Sequence, residues 1–251
     1  MRKFTLIAAA LLVVGAAGAV QADVIAYWNF NQGTNLGGTS GCFQLNSIGT
    51  NTSSADYPSD SGVGVASLSA WDTHGGGATQ GNLQGPNGSG GTPGNQICSF
   101  AGSTLNALNS DPAGGTLSPI GSAQNGHYFT LKLDNAISAA TLSYATRGTG
   151  TGYNLHSYSY STDGGANWTN LSSQASNQTS TFNVLSVNLG NIFASTSGSA
   201  TNLLRISVSG GTGTNGNNRF DNVQINGTLV PEPATLSLLA LGALTLIRRR
   251  K

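Results

Sequence analysis

The chain has 251 residues, a formal net charge of +1, and only 8% charged side chains against 38% hydrophobic ones. The charge is uneven: between Asp23 and Val230 only Lys132, Arg147, Arg205 and Arg219 are basic, and eight aspartates leave this body at −4. Four scattered cations on an acidic body offer no stripe for tracking phosphates, so nucleic acid is excluded as a partner class.

At the N-terminus, Arg2 and Lys3 precede an apolar stretch from Leu6 to Val20, and Val20-Gln21-Ala22 carries small residues where a signal peptidase reads them. This predicts a signal helix over 1–22, export, and a body that begins at Asp23. No cysteine lies near the junction, which argues against a lipoprotein.

The body, residues 23–229, is rich in Gly, Ser, Thr and Asn and nearly free of the strong helix formers Glu, Lys and Met. Its low charge and recurring aromatics fit a folded domain rather than a disordered one. Its length suits a single all-β unit. Val24 to Phe30 reads as the opening strand. Asn31 to Gln96 is irregular, with apolar islands around Val63 to Leu68 and at Trp71.

Cys42 and Cys98 are the only cysteines. In an exported chain an even pair predicts a disulfide. Closing a loop of this length contributes about 4 kcal/mol in the chain-entropy model. That loop includes the glycine-dense, apolar-poor stretch Gly75 to Gly94. Neither cysteine has further metal ligands at short spacing.

Clear period-two alternation begins at His127 and continues to Leu133. Further strands are predicted at Ala140 to Thr146, Tyr153 to Ser161, Phe182 to Leu189, Leu203 to Val208 and Arg219 to Ile225. No stretch of ten residues in the body shows a helical stripe. Many strands between Gly/Ser/Asn turns imply a sandwich or barrel.

Between two of these strands, Ser161-Thr162-Asp163-Gly164-Gly165-Ala166-Asn167-Trp168 resembles the Asp-box pattern, S-x-D-x-G-x-x-W. The resemblance implies a hairpin turn in which Asp163 and Ser161 bond local backbone, the glycines accept positive φ, and Trp168 packs beneath. Sialidase propellers repeat this box. A single copy without an arginine cluster implies a structural turn instead.

Tyr27-Trp28-Asn29-Phe30-Asn31 and Arg219-Phe220-Asp221-Asn222-Val223-Gln224-Ile225 are similar to the first and last strands of jelly-roll modules of the carbohydrate-binding or lectin type. This implies an antiparallel jelly-roll β-sandwich with its terminal strands adjacent. Some such modules hold a structural Ca²⁺, an ion taking six to eight oxygens, and Asp23 and Asp221 are candidate donors. The alternative is that Asp221 and Asn222 form a turn or edge hydrogen bond.

Catalysis finds little support. The body has no glutamate, and its aspartates are too scattered to suggest the paired carboxylates of a glycosidase. His74, His127 and His156 form no metal-spaced cluster, and neither G-x-S-x-G nor H-E-x-x-H occurs. The expected class is therefore non-enzymatic.

The chain closes with Pro231-Glu232-Pro233, an apolar run from Ala234 to Ile247, and Arg248, Arg249, Arg250 and Lys251. Prolines on both sides of Glu232 keep it extended and accessible. The 14 apolar residues form a helix of about 21 Å, short for a hydrocarbon core of about 30 Å, with the basic cluster on the cytoplasmic side. The arrangement resembles the PEP-CTERM sorting signal of Gram-negative bacteria. That implies recognition by an exosortase at the inner membrane, processing, and delivery to the cell surface or matrix. The function expected is a non-enzymatic exported surface or matrix protein associated with exopolysaccharide. The alternative is a carbohydrate-binding module using exposed aromatics, with Trp28, Trp71, Trp168 and the tyrosines from Tyr153 to Tyr160 as candidates, most of them expected in the core.

Overall fold

The computed structural model describes residues 22–30, 42–44, 57–58, 61–62, 66–68, 96–98, 102–113, 116–119, 121–122, 125–126, 128–194 and 202–231. The predicted signal helix up to Gln21, Trp71, His74, His127 and the predicted terminal helix lie outside them, as do Glu232, Pro233, Arg248, Arg249 and Arg250.

The described strands are β1 (Asp23–Trp28), β2 (Cys42–Gln44), β3 (Tyr57–Pro58), β4 (Ala66–Leu68), β5 (Gln96–Cys98), β6 (Thr116–Leu117) and β7 (Tyr128–Leu133). They continue as β8 (Ile137–Gly148), β9 (Leu155–Ser161), β10 (Thr169–Ala175), β11 (Asn183–Gly190), β12 (Asn202–Ser209) and β13 (Asn218–Leu229). One sheet runs β11-β8-β13-β6-β5-β2, with β1 also paired to β13. The other runs β10-β9-β12-β7-β4-β3. Neighbouring strands are antiparallel, and the chain is a two-sheet jelly-roll sandwich. Among the described residues no helix is long and apolar enough to cross a membrane.

Alternation explains the layers. In β12, Leu204, Ile206 and Val208 are buried between the sheets, while Leu203, Arg205 and Ser207 turn the other way. Each such aliphatic contributes about 1.5–3 kcal/mol by leaving water. Facing them from the first sheet are Leu142, Tyr144, Phe220, Val223 and Ile225. Strands β8 and β13 run longer than their apolar patterns suggest, because each supplies the other with a backbone ladder. The terminal strands are adjacent as expected, in a register from Asp23 opposite Gly227 to Trp28 opposite Val223.

A polar seam crosses this core. Asn218 Oδ1 accepts from the Tyr153 N–H at 2.9 Å, and its Nδ2 lies 3.0 Å from Tyr153 O, 3.0 Å from His156 Nε2 and 2.6 Å from Ser176 Oγ. An amide nitrogen donates and does not accept, which assigns the imidazole hydrogen to Nδ1 and leaves Nε2 sharing the two Nδ2–H groups with Tyr153 O and Ser176 Oγ. Nδ1 therefore donates to Tyr144 Oη at 2.8 Å, and Tyr144 donates on to Tyr158 Oη at 2.6 Å. Burial pushes His156 down to about 3, so the ring stays neutral. Phe220 stacks on it at 4.7 Å and meets Phe129 edge-on at 5.1 Å.

Strands β2 and β5 pair with Cys42 directly opposite Cys98. Directly opposed antiparallel residues hold their Cα atoms about 4.5–5.5 Å apart, within the roughly 4.4–6.8 Å that a disulfide spans. We expect the two cysteines to be bridged in the exported protein. Alkylation of unreduced, unfolded chain followed by mass spectrometry should find neither thiol labelled, and labelling of both would reject the bridge.

Candidate functional site

The hairpin between β9 and β10 is built by the Asp-box residues. Ser161 Oγ donates to Asp163 Oδ1 at 2.7 Å and accepts the Gly165 N–H at 2.9 Å. Asp163 also accepts the backbone N–H and the side-chain amide of Asn167, at 2.9 and 2.7 Å. These donors, the Asn167 N–H foremost, pull the Asp163 carboxyl down to about 2. Gly164 and Gly165 have φ of +73° and +95°, the left-handed backbone that glycine tolerates best.

The turn fixes Trp168, whose Nε1–H donates to Gly165 O at 2.9 Å. Trp168 is partly buried, its indole lying beside Gly165 of the turn on the outer face of the six-stranded sheet, which carries Arg205. There the Arg205 guanidinium sits 3.4 Å from the Trp168 ring centroid and 4.0 Å from that of Tyr128, which is buried beneath it. Register makes this stack: Arg205 faces Ser159 and Thr130, and Tyr128 lies diagonally beside it, opposite Ser207. Hydroxyls and amides complete the face. Ser157 Oγ meets Ser173 Oγ at 2.9 Å, Ser207 Oγ donates to Ser157 O at 3.2 Å, and Asn170 stands opposite Ser159. The arrangement couples a flat aromatic and guanidinium surface to a hydroxyl-rich surround, a setting for a polar ligand with apolar ring faces.

The other aromatic candidates divide clearly. Trp28, Tyr153 and Tyr158 are fully buried, and Tyr160 packs against the core beside Phe193.

Asp23 and Asp221 lie at opposite ends of the β1–β13 ladder and do not meet. Among the described residues no three His, Cys, Asp or Glu side chains gather. Asp221 instead accepts the Ser103 N–H at 2.6 Å and the Asn222 N–H at 2.8 Å. Asn222, at φ +48° where the β8–β13 register shifts, accepts from Tyr27 Oη at 2.7 Å and donates to Ser103 O and Leu105 O. Both oxygens of Asp221 are thus turned to N–H donors, one of which ties β13 to the 102–113 segment, a set that does not fit a Ca²⁺ ligand.

Burial, only partly offset by those two N–H groups, pushes Asp221 up to about 7. Held protonated above the unfolded value near 3.9, Asp221 contributes stability that is full below about pH 4 and is lost as pH rises through 7. His156 acts oppositely: the unfolded imidazole charges below about pH 6.5 while the buried ring does not, so stability falls on acidification. Between about pH 4 and 6.5 the two slopes, each about 1.4 kcal/mol per pH unit, oppose one another. Asp221→Asn should therefore expose the His156 slope, with urea midpoints falling steadily from about pH 6.5 to 4. A flat profile in that variant would reject the balance.

Comparison with known proteins bears first on the C-terminus. Residues 229–251 match the PEP-CTERM protein-sorting motif. The chain is thus an exported protein sorted by way of the membrane. The PEP-CTERM signal begins where β13 ends: Val230 N–H donates to Ala136 O at 2.9 Å, and Pro231 is exposed. Comparison with curated proteins gives no match. Solved structures similar to the chain include the xylan-binding module CBM15, at 13% identity and TM-score 0.38 over 58% of this chain and 90% of that one. The CBM22-1 xylan-binding domain of Xyn10C from Paenibacillus barcinonensis gives 10% and 0.37 over 83% and 96%. The N-terminal cellulose-binding domain of β-1,4-glucanase C from Cellulomonas fimi gives 16% and 0.32 over 47% and 82%. These scores are too low to carry a residue or a ligand onto this chain, and the sandwich assignment stands on its own strand pairing.

Sequence reasoning missed Arg205 and Tyr128, which alternation places on a face but does not bring to Trp168. It also missed Asn218 and the burial of His156. The one signal within reach was that Arg205 is the lone charge in β12.

Proposed function

We propose that this is a non-enzymatic cell-surface or matrix protein that associates with extracellular polysaccharide. The observation that carries this reading is the PEP-CTERM motif at residues 229–251. In this reading residues 1–22 are removed by signal peptidase and 23–229 form the exported sandwich. An exosortase reads Pro231, Glu232 and Pro233 while Arg248, Arg249 and Arg250 hold the cytoplasmic side of the inner membrane.

A second observation favours glycan binding by the body itself. The Trp168–Arg205–Tyr128 stack lies on one sheet face among Ser157, Ser159, Ser173, Ser207 and Asn170. In this reading the part-exposed Trp168 indole takes the C–H side of a sugar ring, and the hydroxyls and amides exchange hydrogen bonds with its edge. The full chain, probed on a polysaccharide array, should bind at least one polymer. Trp168→Ala should weaken that binding about 30-fold, the size of an aromatic anchor's contribution. Unchanged binding in both Trp168→Ala and Arg205→Ala would move the ligand off this face. Binding to no polymer would leave the matrix role without a glycan contact.

A further inference from the structure

The segment 102–113 lies on the outer side of the first sheet and is held there through side chains. Its backbone bonds are internal, Ala107 N–H to Thr104 O at 3.3 Å and Asp111 N–H to Leu108 O at 3.0 Å. Among the described residues no backbone–backbone bond joins it to a strand, and none of its residues belongs to the core. Trp28, Phe220, Val223 and Ile225 face the core, which leaves Tyr27, Asp221 and Gln224 turned toward the segment. Ser103 N–H donates to Asp221 Oδ2 at 2.6 Å, and Asn222 Nδ2 donates to Ser103 O and Leu105 O at 2.7 and 2.9 Å. Asn106 Nδ2 donates to Asn222 O at 2.7 Å, Gln224 Nε2 to Asn106 O, and Asn29 Nδ2 to Asp111 Oδ2 at 2.9 Å. Backbone strain gathers at the same place. Of the six described non-glycine residues with positive φ, five stand here: Phe30, Asn106, Asn109, Ser110 and Asn222. Asparagine tolerates that conformation, but a phenylalanine adopts it at a cost, and such strain concentrates in clamps and switches.

We propose that 102–113 is a strap gated by Asp221, closed over β1 and β13 while that carboxyl is protonated and released when it ionises. Tyr27, Asp221 and Asn222 are buried beneath the closed strap, and release opens them to water. Burial, opposed by the Ser103 and Asn222 N–H groups, pushes Asp221 up to about 7, whereas an exposed carboxyl returns to about 3.9. The carboxyl therefore favours closure fully below about pH 4, and that advantage is lost as pH rises to 7. Few other charges surround it. Burial, opposed by the Leu108 N–H and joined by Asp111 and Asp221, pushes the Tyr27 phenol up, so it stays a neutral donor to Asn222. Arg219 lies two residues back on β13, with Arg147 opposite it on β8. β8 sets Ala145 opposite Asp221, β6 sets Leu117 opposite Phe220, and His156 stacks on Phe220 from the core side. The strap lies on the sheet opposite the Trp168–Arg205 face and does not depend on a ligand there.

The test is amide hydrogen exchange in the full chain in detergent at pH 5 and pH 7, each rate divided by that amide's intrinsic rate. Ser103 should lose about 50-fold in protection between the two, as the raised and ordinary carboxyl affinities require. The Leu204 and Ile206 amides of β12 open with the whole sandwich and should change only about twofold, because the Asp221 and His156 slopes offset one another there. Equal losses at Ser103 and in β12 would mean that the segment opens only with the fold, and would overturn the strap. Asp221→Asn, uncharged at both pH values, should abolish the pH dependence at Ser103, and its persistence would overturn the gate. Should that variant fold poorly, Asn106→Gly serves, since glycine accepts the φ of +59° while the side-chain bonds to Asn222 O and Ser143 Oγ are lost. Ser103 protection should then fall about tenfold at both pH values with its pH dependence intact. Unchanged protection in Asn106→Gly, or a wild-type Ser103 insensitive to pH, would also overturn the proposal.

Discussion

Asn218→Ala should lower the unfolding free energy by about 4 kcal/mol, because it strands several buried polar groups at once. The Asn218 side chain accepts from Tyr153 N–H and donates toward Tyr153 O, His156 Nε2 and Ser176 Oγ. Each stranded group costs about 1–3 kcal/mol in desolvation, and water has no route into a site where Asn218, Tyr153 and His156 are all fully buried. Ser176→Ala removes only one partner and should cost about 1 kcal/mol. Urea unfolding of both variants decides the matter. A loss below about 1 kcal/mol for Asn218→Ala would mean that the seam does not hold the sheets together.

Glu232→Ala should relocate the protein. Glu232 is the only glutamate in the chain, so the change leaves the eight aspartates of the body untouched. In a host that bears an exosortase, the variant should accumulate at full mass in the membrane fraction while the wild type reaches the surface or medium. Identical mass and identical fractionation of the two proteins would reduce the tail to a plain membrane anchor.

The sandwich was legible where strands alternate. β7, β11 and β12 place apolar residues at every second position, and the motifs at the two ends of the body announced the β1–β13 pair. β10 was not legible: Thr169 to Ala175 offers a single large apolar residue, Leu171, and becomes a strand only because β9 lends it a ladder. β6 has two residues and no period to detect. The Asp box foretold the turn geometry around Asp163, since those hydrogen bonds are local. It could not foretell on which side of the sheet the Trp168 indole would lie, because Arg205 is 37 residues away along the chain and joins it only through register. The seam was hidden for the same reason. Asn218 and His156 are 62 positions apart, and neither carries a local mark of its partner.

The placement of β13 has a mechanical consequence. While the tail remains in the membrane, any pull on the sandwich enters through Leu229 and Val230, along the axis of the twelve-residue strand β13. That strand is hydrogen-bonded to β8 on one side and to β1 and β6 on the other. A force along it loads its ladder bonds together, in shear, instead of opening them one after another. If the tail is held and then processed as proposed, the sandwich is tethered through a strand paired on both sides, an arrangement suited to staying folded under drag.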